Sequence, residues 1–357
     1  MKLLVCWPSC SFSIFDVAHG VRAGLVEEGH SVFDYRLYQR IMLMQQAFRS
    51  WNPQQLEGEP DMEMVCLHAS EALPYTAVLH GCRWILVVAG MGLHPNALHV
   101  CRKVGLKVAL WLTEAPYNTN EEQELYLARF ADLVFVNERT SVGDVQRAVD
   151  QAGQGGRALY LPHAYNPAVH KPGEADPKHK ADVLLVGTGF AERQALLEAI
   201  DWTGIDLKLG GLWTGIEAPS MLAPHVVYPC LDNGDVVKLY HGAKIVINPH
   251  RRAVGAESAN PRTYEVAACG AFQLADYRAE IAEVFGESVP TWEPDVPWQL
   301  AGLIRRYLAD DGERRRLSSL AMERVQEQTF RVRAQTIIEA IEEWERDHSS
   351  LRVLAGR

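Results

Sequence analysis

Short runs of β-branched and aliphatic residues alternate with amphipathic helical stretches along most of this 357-residue chain. Strand-sized runs separated by helices are typical of βα units, which build a parallel sheet with helices on its faces. A single hydrophobic core stops growing at about 250–300 residues, so a chain of this length favours two domains. Candidate strands lie at residues 2–7, 31–35, 84–88, 107–112, 133–136, 158–161, 182–186, 206–209, 244–248 and 271–274.

A stretch rich in proline interrupts this alternation between residues 162 and 180 and predicts an interdomain linker. We therefore expect an α/β protein with two Rossmann-like domains that face a cleft. The final helix carries an apolar face of Ile337, Ile341 and Trp344, so we expect it to pack back on the first domain. The expected segments are a first domain at 1–165, a linker at 166–180, a second domain at 181–330 and the returning helix at 331–357.

Composition excludes several classes of protein. The hydrophobic fraction of 48% and charged fraction of 22% are ordinary for a globular protein, and no run approaches the ~18 apolar residues that a membrane helix needs. A net charge of −10 disfavours general nucleic-acid binding, which depends on Lys and Arg. Seven cysteines without a Cys-x-x-Cys pair, and an N-terminal apolar run too short for a signal peptide, favour the cytoplasm.

A glycine turn opens the second domain, where the run from Val186 to Phe190 leads from a strand into a helix that carries Arg193. Such a turn exposes backbone N–H groups at the positive end of the helix dipole, which suits a phosphate. A plain βα turn has the same pattern, but a guanidinium one turn later favours the phosphate, because its geometry matches diphosphate oxygens. The residues concerned are Gly187, Thr188, Gly189, Phe190 and Arg193.

Two more segments follow predicted strands or open a predicted helix. His250 and Arg251 come directly after the strand at 244–248, at the sheet edge where open α/β sheets bind ligands. Further on, Glu257 and Glu265 lie eight positions apart, and the second is in a helix that Pro261 begins and Gly270 ends.

The run from Asn260 to Gly270 resembles the donor-binding motif of GT-B nucleotide-sugar glycosyltransferases, most closely the spore-maturation, CgeB-like family, whose core reads Asn-x-Arg-x-(Phe/Tyr)-Glu-x-x-Ala-Cys-Gly. Phe190 and Arg193 match the glycine turn of that family, and Thr329-Phe330-x-x-Arg333 resembles its closing motif. The Glu257–Glu265 spacing resembles the paired glutamates of retaining GT-B enzymes, although Ser258 stands where a glycine normally follows.

The resemblance implies a glycosyltransferase that moves a sugar from a nucleotide sugar, UDP-linked in the first instance, to a hydroxyl acceptor. Glu265 would bind the ribose hydroxyls from a cleft-facing position, and arginines would neutralise the diphosphate. The absence of an Asp-x-Asp pair favours catalysis without a metal, and no other cofactor is implied. The implied donor-binding residues are Gly187, Thr188, Gly189, Phe190, Arg193, His250, Arg251, Asn260, Arg262, Tyr264 and Glu265.

Four residues are candidates for catalysis. Asp16 and His19 lie in the first helix after the first strand, where GT-B enzymes commonly place an acceptor-facing base. Glu114 follows another strand, in a loop that resembles an acceptor-side loop of the same family. Glu257 as partner of Glu265 favours retention at the anomeric carbon, whereas Asp16 as base favours inversion, and both alternatives stay open.

Other functions fit the same fold. A DNA-modifying transferase of the phage type would act on a hydroxylated base, and the acceptor could equally be a glycan or a small molecule. A nucleotide-sugar epimerase or a non-catalytic sugar-nucleotide-binding protein would use the same donor site. Release of free nucleoside diphosphate from a sugar nucleotide separates transfer from binding alone.

Overall fold

The computed structural model describes residues 1–8, 12–51, 60–114, 122–213, 220–228, 233–251, 255–294 and 296–355. The chain divides into two compact units. Unit 1 comprises Met1–Pro162 with Phe330–Arg357, and unit 2 comprises His163–Thr329. The residues predicted as a linker lie in unit 2, where Tyr165 is buried and its backbone N–H donates to the Gln328 carbonyl at 3.0 Å.

Unit 1 is built on a six-stranded parallel sheet in the order β2-β1-β3-β4-β5-β6. The strands are β1 (Lys2–Trp7), β2 (Ser31–Arg36), β3 (Trp84–Val88), β4 (Lys107–Leu112), β5 (Leu133–Val136) and β6 (Arg157–Tyr160). The helices are α1 (Phe12–Glu27), α2 (Leu37–Trp51), α3 (Met62–Ser70), α4 (Ala72–Leu79), α5 (Pro95–Lys103), α6 (Glu122–Ala128) and α7 (Val142–Gln151). The central strands β3 and β4 are almost wholly buried, as helices on both faces require.

Unit 2 holds a second six-stranded parallel sheet in the order β12-β11-β10-β7-β8-β9. The strands are β7 (Ala181–Val186), β8 (Leu207–Gly210), β9 (Val226–Tyr228), β10 (Ala243–Asn248), β11 (Gln273–Asp276) and β12 (Thr291–Trp292). The helices are α8 (Ala191–Glu198), α9 (Asn233–Gly242), α10 (Pro261–Ala268), α11 (Ala279–Phe285), α12 (Pro297–Ala309) and α13 (Asp311–Arg324). The edge strands β9 and β12 have three and two residues and were not predicted, because so short a run carries no period.

The order of strands in unit 2 places a topological switch point between β7 and β10. From β7 the chain proceeds outward through β8 and β9, and then returns to the other side of β7 to form β10. At such a point the connections leave in opposite directions, which opens a crevice at the carboxyl ends of the two strands. Gly187 follows β7 and Pro249 follows β10, so two of the predicted segments meet here.

The final helix, α14 (Phe330–Ala355), belongs to unit 1 and packs along α1. Gly20 and Gly24 make room for it: a Cβ on Gly24 would lie 2.7 Å from the Phe330 carbonyl oxygen, and one on Gly20 would overlap the Phe330 ring. Farther along, the Trp344 ring meets the Trp84 ring edge-on at 5.4 Å. The prediction that the last helix returns to the first domain is confirmed.

Candidate functional site

The carboxyl edge of the unit 2 sheet brings together three segments that are far apart in sequence. They are the glycine turn after β7, the loop after β10 and the first turn of α10. We call this set of segments the switch-point site. It contains most of the residues that the sequence predicted for donor binding.

Gly187 is where two guanidinium groups approach the backbone. A Cβ at this position would lie 2.5 Å from Nη2 of Arg262 and 3.1 Å from Nη1 of Arg193, and the φ angle of +149° is one that side-chain-bearing residues rarely adopt. Only glycine therefore allows both guanidinium groups to lie against the turn. Two like charges converge here.

Arg193 lies in α8 and is 6% exposed. Its Nη1 donates to the Thr188 carbonyl at 2.9 Å and its Nη2 to the Pro249 carbonyl at 2.9 Å, so it links the ends of β7 and β10. Burial and the neighbouring Arg262 charge lower the pKa of Arg193 to about 9, which leaves it protonated at neutral pH. The Arg193 and Arg251 guanidinium groups lie 5.1 Å and 5.0 Å from the centre of the Phe190 ring.

Arg262 is held by asparagines. Its Nη1 donates to Oδ1 of Asn248 at 3.0 Å, and the same oxygen accepts from Nδ2 of Asn260 at 2.8 Å. Asn260 is also the N-cap of α10, with its Oδ1 accepting from the Thr263 backbone N–H at 3.1 Å. Asn248 was not predicted, although a polar residue that ends an apolar strand is the signal that could have found it.

Glu265 lies in the middle of α10, and its side chain is 15% exposed. Burial raises the pKa of Glu265 to about 7, while the Arg262 charge acts in the opposite direction. The sequence predicted a side chain that faces the cleft rather than the core; most of the Glu265 side chain is covered in unit 2, and its role at a cleft stays a prediction. Nε2 of His170, a residue that sequence reasoning did not select, lies 4.0 Å from Oε1 of Glu265.

His250 is engaged within the sheet edge. Its backbone N–H and its Nδ1 contact Oδ1 of Asp276 at 2.7 Å and 2.6 Å, and Nη2 of Arg278 donates to Oδ2 of Asp276 at 3.1 Å. Burial lowers the pKa of His250, against the pull of the Asp276 charge. Burial alone would raise the pKa of Asp276, but His250 and Arg278 outweigh it and the pKa lies below its usual value. The pair thus ties β10 to β11.

Two residues of the predicted motif have different surroundings. Tyr264 is fully buried, with its ring 6.0 Å from that of Phe285, so it packs in the core of unit 2 and is not placed to contact a ligand. Glu257 is half-buried, and its carbonyl accepts from the Glu280 backbone N–H at 3.1 Å. The Arg278 guanidinium donates to the Ala256 carbonyl at 2.7 Å, which fixes the loop that carries Glu257.

The candidates for the acceptor side lie in unit 1. Asp16 is half-buried and His19 exposed on α1, and the His19 ring meets the Trp7 ring edge-on at 5.5 Å. Glu114 is half-buried directly after β4. Since β3 lies between β1 and β4, these residues come from separate strand ends of one sheet edge. The neighbouring loop residues 9–11 and 115–121 lie outside the described residues.

Within the described ranges no helix has the length and apolarity to cross a membrane. In the same ranges no group of three or more His, Cys, Asp or Glu side chains is arranged to hold a metal ion.

Two parallel Rossmann-like sheets, with the last helix returned to the first unit, define the GT-B fold. The solved structure of sucrose-phosphate synthase from Thermosynechococcus elongatus matches with a TM-score of 0.65 at 14% identity, covering 96% of this chain and 98% of that one. Anabaena HepE, solved in complex with UDP-glucose, matches with a TM-score of 0.61 at 15% identity, covering 96% and 100%. The predicted fold class is confirmed.

In sequence, this chain is similar to a family model and to a curated protein. Residues 193–339 match the family model described as Glycosyl transferase-like. The chain is 28% identical to spore protein CgeB of Bacillus subtilis (strain 168) over 188 residues, which are 49% of this chain and 57% of CgeB. The match thus spans little more than half the length of that relative. The predicted resemblance to glycosyltransferases and to CgeB is confirmed.

Proposed function

We propose that this protein is a glycosyltransferase that moves a sugar from a nucleotide-sugar donor to a hydroxyl acceptor, with the donor bound at the switch-point site of unit 2. The family match over residues 193–339 supports the reaction class. A structural relative solved with UDP-glucose supports the donor class and makes UDP-glucose the first probe.

The observation that carries the proposal is the convergence of Arg193 and Arg262 on Gly187. Among the described residues, Arg193 bonds to backbone carbonyls, and Arg262 bonds to the Asn248 amide oxygen and the Tyr240 hydroxyl, rather than to carboxylates. Two adjacent positive charges repel each other, and a bound diphosphate would remove that repulsion while accepting charged hydrogen bonds. The same groups would stabilise the negative charge that develops on the leaving diphosphate in the transition state.

Within this proposal Glu265 binds the ribose. An ionised carboxylate accepts one hydrogen bond from each hydroxyl of a vicinal diol. Arg262, one turn earlier in α10, would then contact the diphosphate on the side nearer Gly187. Arg251 is a third cation at the same edge, and Thr188 and Gly189 supply the turn backbone.

Unit 1 would hold the acceptor and supply the general base. Asp16, His19 and Glu114 are the candidates, because they follow strand ends at the carboxyl edge of the unit 1 sheet. A catalytic base contributes about 10²–10⁴-fold to turnover, so Asp16→Asn should lower kcat by that factor with unchanged donor affinity if Asp16 is the base. Near-normal turnover would show that Asp16 is not the general base and would leave His19 and Glu114 as the candidates. Glu257 stays a candidate as the partner of Glu265, the arrangement that favours retention at the anomeric carbon of the sugar.

The direct test is release of UDP from UDP-glucose by the full chain in the presence of candidate acceptors, followed by chromatography. We expect release by the wild type and a loss on the order of 10–100-fold in Arg262→Gln, the scale of one or two charged hydrogen bonds. Arg315→Gln is the matched control, since Arg315 pairs with Asp311 on the surface of α13. Activity that survives EDTA would support catalysis without a metal, and restoration by Mn²⁺ would contradict it. No release from any nucleotide sugar would contradict the proposal.

A further inference from the structure

His170 faces the proposed ribose-binding carboxylate from outside the donor motif. Its side chain is 2% exposed, and Nε2 lies 4.0 Å from Oε1 of Glu265. Nε2 is buried and has no hydrogen-bond partner among the residues that the structure describes. A buried polar atom without a hydrogen bond is unfavourable, and in folded proteins such atoms nearly always have a partner.

The local backbone fixes both the orientation and the tautomer of the His170 ring. The Asn166 backbone N–H donates to Nδ1 of His170 at 3.3 Å, and the His170 backbone N–H donates back to the Asn166 carbonyl at 2.8 Å. Because Nδ1 accepts a hydrogen bond, a neutral imidazole must carry its proton on Nε2. Burial lowers the pKa of His170 to about 4, so the ring is neutral at physiological pH. The nitrogen that lies 4.0 Å from Oε1 of Glu265 is therefore the one that carries the proton.

Within the described ranges, no hydrogen bond reaches the Glu265 carboxylate. Arg262 acts on it electrostatically, and the neighbouring groups Tyr240 and Cys269 are buried, with pKa values that burial and the Glu265 charge both raise. The gap between Nε2 and Oε1 exceeds hydrogen-bond length by about 1 Å, a distance that a small rotation of the Glu265 side chain closes. A hydrogen bond from His170 would restrain the Glu265 carboxylate from the side when it turns to receive a ribose diol.

We propose that His170 is a positioning residue for Glu265: its Nε2–H donates to the ionised carboxylate and holds it in the orientation that accepts the two ribose hydroxyls of the donor. This inference rests on the proposed function. It adds a residue from the loop after Pro162, outside the donor motif, to the machinery that selects a ribonucleotide sugar. His170 itself does not touch the donor.

Two amide variants test the roles of the two ring nitrogens of His170 one at a time. In His170→Asn the amide oxygen can replace Nδ1 and keep the bond from Asn166, but the side chain is too short to reach Glu265. In His170→Gln the longer amide can place an N–H near the position of Nε2. We expect His170→Asn to weaken UDP-glucose binding on the order of 10–100-fold, the scale of one hydrogen bond to a charged group, and His170→Gln to recover most of that loss.

Isothermal titration of UDP-glucose is the measurement, repeated in the Glu265→Gln background. If His170 acts through the carboxylate, His170→Asn costs less than about twofold once Glu265 is replaced, because coupled residues are not additive. His225→Asn is the control: His225 bonds to the Leu207 carbonyl at the start of β8, the opposite sheet edge, and should bind as the wild type does.

Equal losses in both backgrounds, or better binding by His170→Asn than by His170→Gln, would overturn the inference while leaving the proposed function intact. A wild type that binds neither UDP-glucose nor another nucleotide sugar would refute the proposed function, and the inference with it.

Discussion

The Glu265 side chain combines low exposure with a raised pKa. At 15% exposure it lies among Tyr240, Cys269 and His170, and burial raises its pKa from the ordinary 4.5 to about 7. A carboxyl group placed in such surroundings without a ligand carries a cost whenever it is ionised. Binding sites often accept a cost of this kind because the ligand later compensates it.

Replacing Glu265 by glutamine should therefore stabilise the free protein at alkaline pH. Because the folded-state pKa near 7 lies above the ordinary 4.5, stability with respect to this group is fully present below pH 4.5 and is lost as pH rises through about 7. By pH 8 this loss amounts to ~3 kcal/mol, from the shift in pKa. We expect the free energy of unfolding of Glu265→Gln to exceed that of the wild type at pH 8 by ~1–3 kcal/mol, with a gap that closes toward pH 4.5.

Urea denaturation between pH 5 and 8 measures this difference, with Glu323→Gln on the exposed face of α13 as control. A gap between Glu265→Gln and wild type that does not change with pH would mean that Glu265 is not buried in the way the structure places it. The sequence could not provide this prediction, because periodicity assigns Glu265 to a helix but does not place it near Tyr240 of α9 and His170.

At the scale of elements, α1 and α14 are joined by close backbone contact. Gly20 and Gly24 lie one turn apart on α1, and Phe330 begins α14 against them. Arg333 donates from Nε to the Pro162 carbonyl at 3.0 Å and so anchors the same turn of α14. This gives the Thr329-Phe330-x-x-Arg333 pattern a physical role, which is to lock the returning helix onto unit 1.

Gly24→Ala should destabilise the protein although alanine favours helices. The added Cβ would lie 2.7 Å from the Phe330 carbonyl oxygen, a backbone atom that cannot move without shifting α14. We expect a loss of ~1–3 kcal/mol in the free energy of unfolding, the usual cost of overpacking. Gly143→Ala in α7 of the same unit is the control, since its Cβ would meet only an Arg147 side-chain atom at 3.8 Å and should leave stability unchanged or slightly higher. Equal effects of the two substitutions would contradict the close contact.

The sequence predicted the strands well, but it missed several residues that contact the predicted site residues. Runs such as Lys2–Trp7, Trp84–Val88 and Lys107–Leu112 have the predicted bounds, because buried parallel strands are continuous apolar runs. Asn248, Asp276 and His170 were missed as contributors to the site. Their contacts join β10 to α10, β10 to β11 and the loop at 166–170 to α10, and pairings over such distances depend on the strand order, which local patterns do not contain.

At the scale of the whole molecule, the two units differ in how much of their function the sequence could predict. Under the proposed function, the residue types of the unit 2 motif follow from the chemistry of a diphosphate and a ribose, so Arg193, Arg262 and Glu265 could be selected from sequence. Unit 1 offers Asp16, His19 and Glu114, which are common residue types at the ends of strands. Acceptors differ widely in shape, so no fixed pattern of residues marks the acceptor side.

The proposed function requires the switch-point site of unit 2 to bind the diphosphate of a nucleotide sugar through Arg193 and Arg262. Isothermal titration of UDP-glucose into the full chain, without added metal, measures this binding. We expect one site per chain, affinity that falls with rising salt, and a loss on the order of 10–100-fold in Arg262→Gln but none in Arg315→Gln. Binding that is equally strong in Arg262→Gln and in the wild type would contradict it.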